Sequence, residues 1–349
     1  MKNKNEFQTI HESGYDSLLN IFRERSGKKR ESTIKGIGDD ASVIKTANGK
    51  ALLQSSNLLL EGVHFDLTYT PLHHLGYKCV TTAVSNVCAM NSIPGEILLD
   101  IAVPNKISVQ MIDQFYSGVQ SACRDYEIEL IGGDTTASQQ LFVLAATVNG
   151  YTEPDEVVYR NGANKNDLVC ITGDLGGAIA GLRVLMREKK AWEESGEDHF
   201  QPDLSEYQEA IQKQLVPRAR LDVIRALTEQ DITISSMTDI SKGLITEAKK
   251  ICEFSGIGME IYSPAVPISL NTRKIADEMQ EDVDKYAFYG GEDFELMFTT
   301  DKKNAEKFEK AFSEVTVIGK AIASAEGILI KSGTDETIQI ETAVQGSNK

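Results

Sequence analysis

Between residues 71 and 90, Leu72, Leu75, Val80, Ala83, Val84 and Val87 recur at helical spacing and predict a long buried helix, ending near Asn91-Ser92 ahead of Pro94. Ser85 and Asn86 interrupt that apolar pattern as polar residues in the helix interior. A second amphipathic helix is expected over 108–126, where Met111, Phe115, Val119 and Cys123 form one stripe. Residues 51–54, 96–103, 129–131 and 142–148 read as strands, and Asn48-Gly49 reads as the turn of a hairpin that leads into the first of them. Ser55-Ser56-Asn57 is placed at that strand's end. An amphipathic pattern with Leu18, Leu19, Ile21 and Phe22 predicts a helix within 6–25, followed by a basic linker.

The pattern repeats after Tyr151. Strands are expected over 167–172, 235–239 and 294–299, and helices over 178–186, 217–228, 244–254 and 304–312. Ser241 is a natural N-cap for the third of these helices. The charged stretch 187–207, which holds Trp192, reads as a solvated excursion, and the chain after Asp335 as a frayed tail. This layout predicts two α+β or α/β domains, residues 1–150 and 151–349, sharing a cleft. A chain of 349 residues, 41% of them hydrophobic, is long for one core and well able to fill two.

The formal net charge of -16 argues against nucleic acid or an anionic membrane as a partner, because both favour basic surfaces. No apolar run is long enough to span a bilayer, and a cytoplasmic location is the expectation. Cys79, Cys88, Cys123, Cys170 and Cys252 are scattered among apolar neighbours and read as small core residues in a reducing compartment.

The candidate chemistry lies in glycine turns that carry acids: Gly36-Ile37-Gly38-Asp39-Asp40, Gly132-Gly133-Asp134, Asp239-Ile240-Ser241-Lys242-Gly243 and Gly290-Gly291-Glu292-Asp293. Carboxylates gathered from distant segments repel one another unless cations neutralise them. Hard oxygen ligands of this kind suit magnesium carried with phosphates. No Walker-type phosphate loop is present, so a nucleotide site would be built from metal and scattered acids.

These turns, taken with Glu61-Gly62-Val63-His64-Phe65, Gly243-Leu244 and Phe294-Glu295-Leu296, resemble the thiamine-monophosphate kinase family in order and spacing over residues 30–330. The resemblance implies a two-domain fold shared with aminoimidazole ribonucleotide synthetase, pairing of N-terminal domains in a homodimer, and binding of ATP and magnesium. The implied reaction transfers the ATP γ-phosphoryl group to thiamine monophosphate. Carried over by position, Asp40, Asp134, Asp239, Ser55 and Ser56 resemble magnesium ligands, and Gly133, Asp134, Arg160 and Ser241 resemble nucleotide contacts. His64 and Glu292 resemble contacts to thiamine phosphate. Three family acids are replaced: Asn57, Asn86 and Lys242 stand where the family has aspartates at the metal site. The alternative reading is therefore a catalytically impaired, nucleotide-binding member of the same family, with a related synthetase acting on another substrate as a third.

Overall fold

A computed structural model describes residues 9–10, 14–27, 30–196, 201–334 and 336–342. The first helix, α1, spans Tyr15–Arg25. β1 (Thr33–Lys35), β2 (Ser42–Lys45) and β3 (Ala51–Leu60) follow as an antiparallel series. Then come α2 (Leu72–Cys88), β4 (Ile93–Pro104), α3 (Val109–Tyr126), β5 (Glu129–Gly132), β6 (Thr135–Ser138) and β7 (Val143–Thr152). They form a seven-stranded sheet in the order β1-β2-β3-β7-β4-β5, with β6 also paired to β4.

β3 is longer than expected. It pairs with β7 through ten residues, from Ala51 opposite Thr152 to Leu60 opposite Val143, so Ser55, Ser56 and Asn57 lie in mid-strand rather than at its end. The polar triplet is accommodated because backbone pairing, not side-chain apolarity, holds that stretch. The strand period of two then separates its members. Ser55 and Asn57 face α2, whereas the Ser56 hydroxyl meets Thr147 on the opposite face, 3.0 Å away. That opposite face is left open, with Leu58, Leu98 and Ile131 exposed on it.

α2 is buried almost throughout because it lies between the sheet, α3 and the second half of the chain. Its contact with α3 is unusually close. A Cβ on Gly118 would stand 1.8 Å from the His73 carbonyl oxygen, and one on Gly76 would stand 2.1 Å from that of Phe115.

The second half contains β8 (Leu168–Thr172), α4 (Gly177–Ser195), α5 (Gln208–Leu215), α6 (Leu221–Glu229), β9 (Ser236–Asp239) and α7 (Leu244–Ser255). It continues through β10 (Gly258–Tyr262), α8 (Leu270–Met279), α9 (Val283–Tyr289), β11 (Leu296–Thr300), α10 (Lys302–Ala311), β12 (Val315–Ile322), β13 (Ile328–Lys331) and β14 (Thr337–Ile340). The sheet order is β14-β13-β10-β12-β8-β11-β9. The fold is thus a two-domain α+β architecture. Its main apolar core is continuous across the two sheets, joining Val80, Val84 and Leu144 to Val223, Met237 and Phe298.

Three further expectations are corrected. α4 does not stop at Met186 but runs on through Trp192 to Ser195, its charges paired one turn apart as Lys189–Glu193 and Lys190–Glu194. α7 is capped by Gly243 with no side-chain cap, since the Ser241 hydroxyl is turned to Asp239 instead. The chain beyond Asp335 adds β14 to the sheet edge before residues 343–349, which lie outside the described residues.

Candidate active site

The candidate site lies where the Asp39-Asp40 turn, β3 and α2 of the first domain meet Arg160, β9, α7 and the 290–295 loop of the second. Gly38, at φ 128°, lets the turn place both acids inward. Asp40 forms an ion pair with the Arg160 guanidinium, whose Nε also donates to Thr238 Oγ1 at 3.3 Å. Lys35 lies 3.2 Å from Asp39. Asp239, at the end of β9, is fully buried and accepts from Ser85 Oγ at 2.7 Å and from Ser241 Oγ at 3.2 Å. Burial, reinforced by Asp40 and Glu247, pushes its carboxyl up to about 7. Burial also raises Glu247, with Lys250 pulling the other way from 2.7 Å. One oxygen each of Asp40 and Glu247, Oδ2 and Oε1, is buried without a hydrogen-bond partner.

A second bridge crosses the cleft from α2. Lys78, only 2% exposed, donates to Glu292 Oε2 at 2.9 Å and to the Gln214 carbonyl at 3.1 Å. Gln214 Nε2 adds a bond to the same Glu292 oxygen at 3.2 Å. These bonds hold a loop whose backbone is turned at two non-glycine positions, Glu292 at φ 60° and Phe294 at φ 53°. Its other acids are anchored as well. Asp293 accepts from the Gly176 and Ala178 amides at the start of α4, and Glu295 accepts from Arg220 at 2.6 Å.

Glu292, Lys78 and Gln214 line a cavity of about 490 Å³ together with His64, Lys189 and Lys190. His64 Nδ1 accepts from the Leu60 amide at 3.1 Å, which assigns its ring proton to Nε2. A neighbouring cavity of about 780 Å³ shares Asp66, Tyr69 and Lys189 with the first and adds Met111 and Trp192. The 187–195 stretch therefore lines the cleft instead of leaving it.

The sequence-derived residues fall into separate groups. Asp40, Arg160, Asp239 and Ser241 come together, as do His64 and Glu292. Ser55, Asn57 and Asn86 form a third, uncharged group linked to the first by a bond from Ser55 Oγ to the Asp40 carbonyl at 3.0 Å. Gly133 and Asp134 sit in an exposed turn beside β4, where the Asp134 amide donates to Asp100 at 2.7 Å. A Cβ on Gly133 would stand 1.8 Å from the Leu99 carbonyl oxygen, so only glycine fits there. Lys242 is exposed, with no ion pair among the described residues. Lys78, Gln214 and Glu247 carry no mark in the sequence reading, whereas Ser85 stands out there only as a polar residue inside a buried helix. The one available signal was Lys78 itself, a charge set between apolar positions of α2.

Comparison with known proteins gives this arrangement a family. Residues 38–152 match the model of the AIR synthase related protein N-terminal domain, and residues 164–332 match that of its C-terminal domain. Fold and cleft thus define a two-domain AIR synthase related protein. Thiamine-monophosphate kinase of Aquifex aeolicus is 32% identical over 321 residues, covering 92% of this chain and 95% of that protein. That of Bacillus subtilis is 31% identical, covering 87% and 90%. The chain belongs to the thiamine-monophosphate kinase family. A solved structure titled "AaThiL complexed with AMPPCP and TMP" superposes with a TM-score of 0.81 at 28% identity, covering 97% of this chain and 98% of that one.

The family implies magnesium, and the two sides of the cleft differ in how they suit it. The unpartnered oxygens of Asp40 and Glu247, both of which act electrostatically on buried Asp239, are hard donors that fit a divalent cation. The Ser55, Asn57 and Asn86 side offers no carboxylate and does not fit. Among the described residues, no three acidic, histidine or cysteine side chains are arranged as a ready ion cage.

Proposed function

We propose that this chain transfers the γ-phosphoryl group of ATP to thiamine monophosphate, giving thiamine diphosphate. The observation that carries the reading is the pair of cation-bearing bridges between the two domains, Arg160 to Asp40 and Lys78 to Glu292, in a chain of this family. Donor and acceptor are both phosphates, so the main physical task is to offset anionic repulsion and charge build-up on the transferred group. Arg160 offers a planar fork for phosphate oxygens, and Lys189 and Lys190 add positive charge at the cavity that His64 and Glu292 line. His64, whose Nδ1 accepts from the Leu60 amide, presents Nε2–H as a donor. Glu292, fixed by Lys78 and Gln214, sets an acidic wall suited to a cationic ring. Ser85 and Ser241 orient Asp239. Magnesium, when bound by Asp40, Asp239 and Glu247, would supply charge neutralisation for the nucleotide phosphates.

Gly133 and Asp134 are assigned here to the nucleotide side, as in the sequence reading. Residues 1–150 would be the nucleotide-binding and dimerisation domain, and residues 151–349 would complete the cleft. The open sheet face with Leu58, 60% exposed, Leu98 and Ile131 supports a homodimer through the first domain. Five buried, unpaired cysteines suit a reducing compartment, and we place the protein in the cytoplasm. No helix among the described residues is long and apolar enough to cross a membrane. The impaired alternative raised by Asn57, Asn86 and Lys242 finds no support in the comparisons. A coupled assay with ATP, magnesium and thiamine monophosphate, following thiamine diphosphate by fluorescence, tests the reading. Product formation supports it, and nucleotide binding without product would overturn it.

A further inference from the structure

We propose that the side of the cleft formed by Ser55, Asn57 and Asn86 takes no metal ion and is closed by a hydrogen-bonded amide lock that holds β3, α2 and the Asp40 turn together. Asn57 Nδ2 donates to the Thr82 carbonyl at 2.8 Å. Asn86 Nδ2 donates to Asn57 Oδ1 at 2.7 Å and to Ser55 Oγ at 2.8 Å, and Ser55 Oγ donates onward to the Asp40 carbonyl at 3.0 Å. Both ends of this chain are backbone carbonyls, which can only accept. Asn57 must therefore direct its NH₂ to Thr82 and its oxygen to Asn86, and Ser55 must spend its proton on Asp40. The one arrangement that satisfies both ends places the Asn86 NH₂ at the centre, with its two protons used on two acceptors.

Reversing either amide would set oxygen against oxygen or leave a donor unmade, each a costly choice at a half-buried site. A cation at the centre would face N–H groups instead of lone pairs, and no carboxylate takes part in these bonds. The lock cross-links strand and helix and fixes the turn that carries Asp40. It confines divalent cations to the Asp40, Asp239 and Glu247 side. This inference stands apart from the identity of the phosphoryl acceptor.

The test replaces the Asn57 amide by a carboxylate. In Asn57→Asp, the side chain can no longer donate to the Thr82 carbonyl, so the variant should melt below wild type without divalent cations and regain that loss on adding magnesium. Wild type should show a smaller magnesium-induced shift in Tm. Counting bound Mn²⁺ by electron paramagnetic resonance, with and without AMPPCP, should give one more ion per chain in N57D than in wild type. It should give the same count in wild type and N57A, a measurement that stands even if N57D fails to fold. Equal counts in wild type and N57D, or an ion lost in N57A, would overturn the lock. Failure of AMPPCP to bind bears on the proposed kinase activity instead, because the metal-only counts still decide this inference.

Discussion

Lys78, carried by α2 of the first domain and only 2% exposed, reaches 2.9 Å from the carboxylate of Glu292 in the second. An ammonium so placed is tolerable only while its anion and the Gln214 carbonyl remain. Lys78→Met would release Glu292 from a backbone conformation that its side-chain bonds help hold. Because Glu292 keeps some contact with water, the stability loss should be about 2 kcal/mol, below the range for a fully buried pair. The more telling readout is a rise in KM for thiamine monophosphate that exceeds the change in KM for ATP. A variant that loses stability while both KM values stay put would show that Lys78 only supports the fold.

Arg160 fills a different role, because its guanidinium bonds both Asp40 and Thr238 while its own amide donates to Asp39 at 3.3 Å. Lysine is a point charge and cannot make the two side-chain contacts at once. Arg160→Lys should therefore weaken AMPPCP binding about tenfold, corresponding to about 1.4 kcal/mol by calorimetry. Arg160→Met should weaken it further. Unchanged affinity in both would remove Arg160 from the nucleotide site.

How much of this was legible in the chain depended on what each residue is asked to do. α2 and α3 could be read because one continuous apolar stripe is buried in each. β3 looked short because Ser55-Ser56-Asn57 breaks the apolar run, although backbone pairing with β7 carries the strand on to Leu60. The sequence pattern ends α4 at Met186, because charges paired along a helix surface resemble those of a loop. Asp40, Arg160 and Asp239 could be placed near one another only by resemblance, since nothing local brings residues 40 and 239 together. Lys78 and Glu247 were hidden for a related reason: a buried charge looks like any other charge until its partner's position is known.

The meeting of α2 and α3 gives a stability prediction independent of ligands. An added Cβ at Gly118 would stand 1.8 Å from the His73 carbonyl oxygen, a backbone atom that cannot move aside alone. Alanine is the better helix former by about 1 kcal/mol, so propensity alone predicts that Gly118→Ala stabilises. Overpacking should win and cost about 3 kcal/mol in urea unfolding, as the helices are forced apart. Gln120→Ala, on the exposed face of the same helix, should stay within about 0.5 kcal/mol. A stabilised Gly118→Ala would mean that the helices pack less closely than described.

The pH response of stability should carry the mark of Asp293. Burial pushes its carboxyl up to about 7, against the pull of the Gly176 and Ala178 amides that donate to it. In the unfolded chain the group returns to the ordinary carboxylate value of about 4. Between those values the folded protein holds a proton that the unfolded chain has released, so stability must fall as pH rises through the window and level off above it. Asp239, raised to about 7 as well, contributes with the same sign, so the test is a difference between variants. Asp293 is only half-buried as a residue, and water relieves part of the penalty; its share should be on the order of 1 kcal/mol. Asp293→Asn removes the titration and should flatten the fall between about pH 4 and 7, measured by chemical unfolding across that range. A variant that retains the full wild-type slope would place the titration elsewhere, with Asp239 the next group to replace.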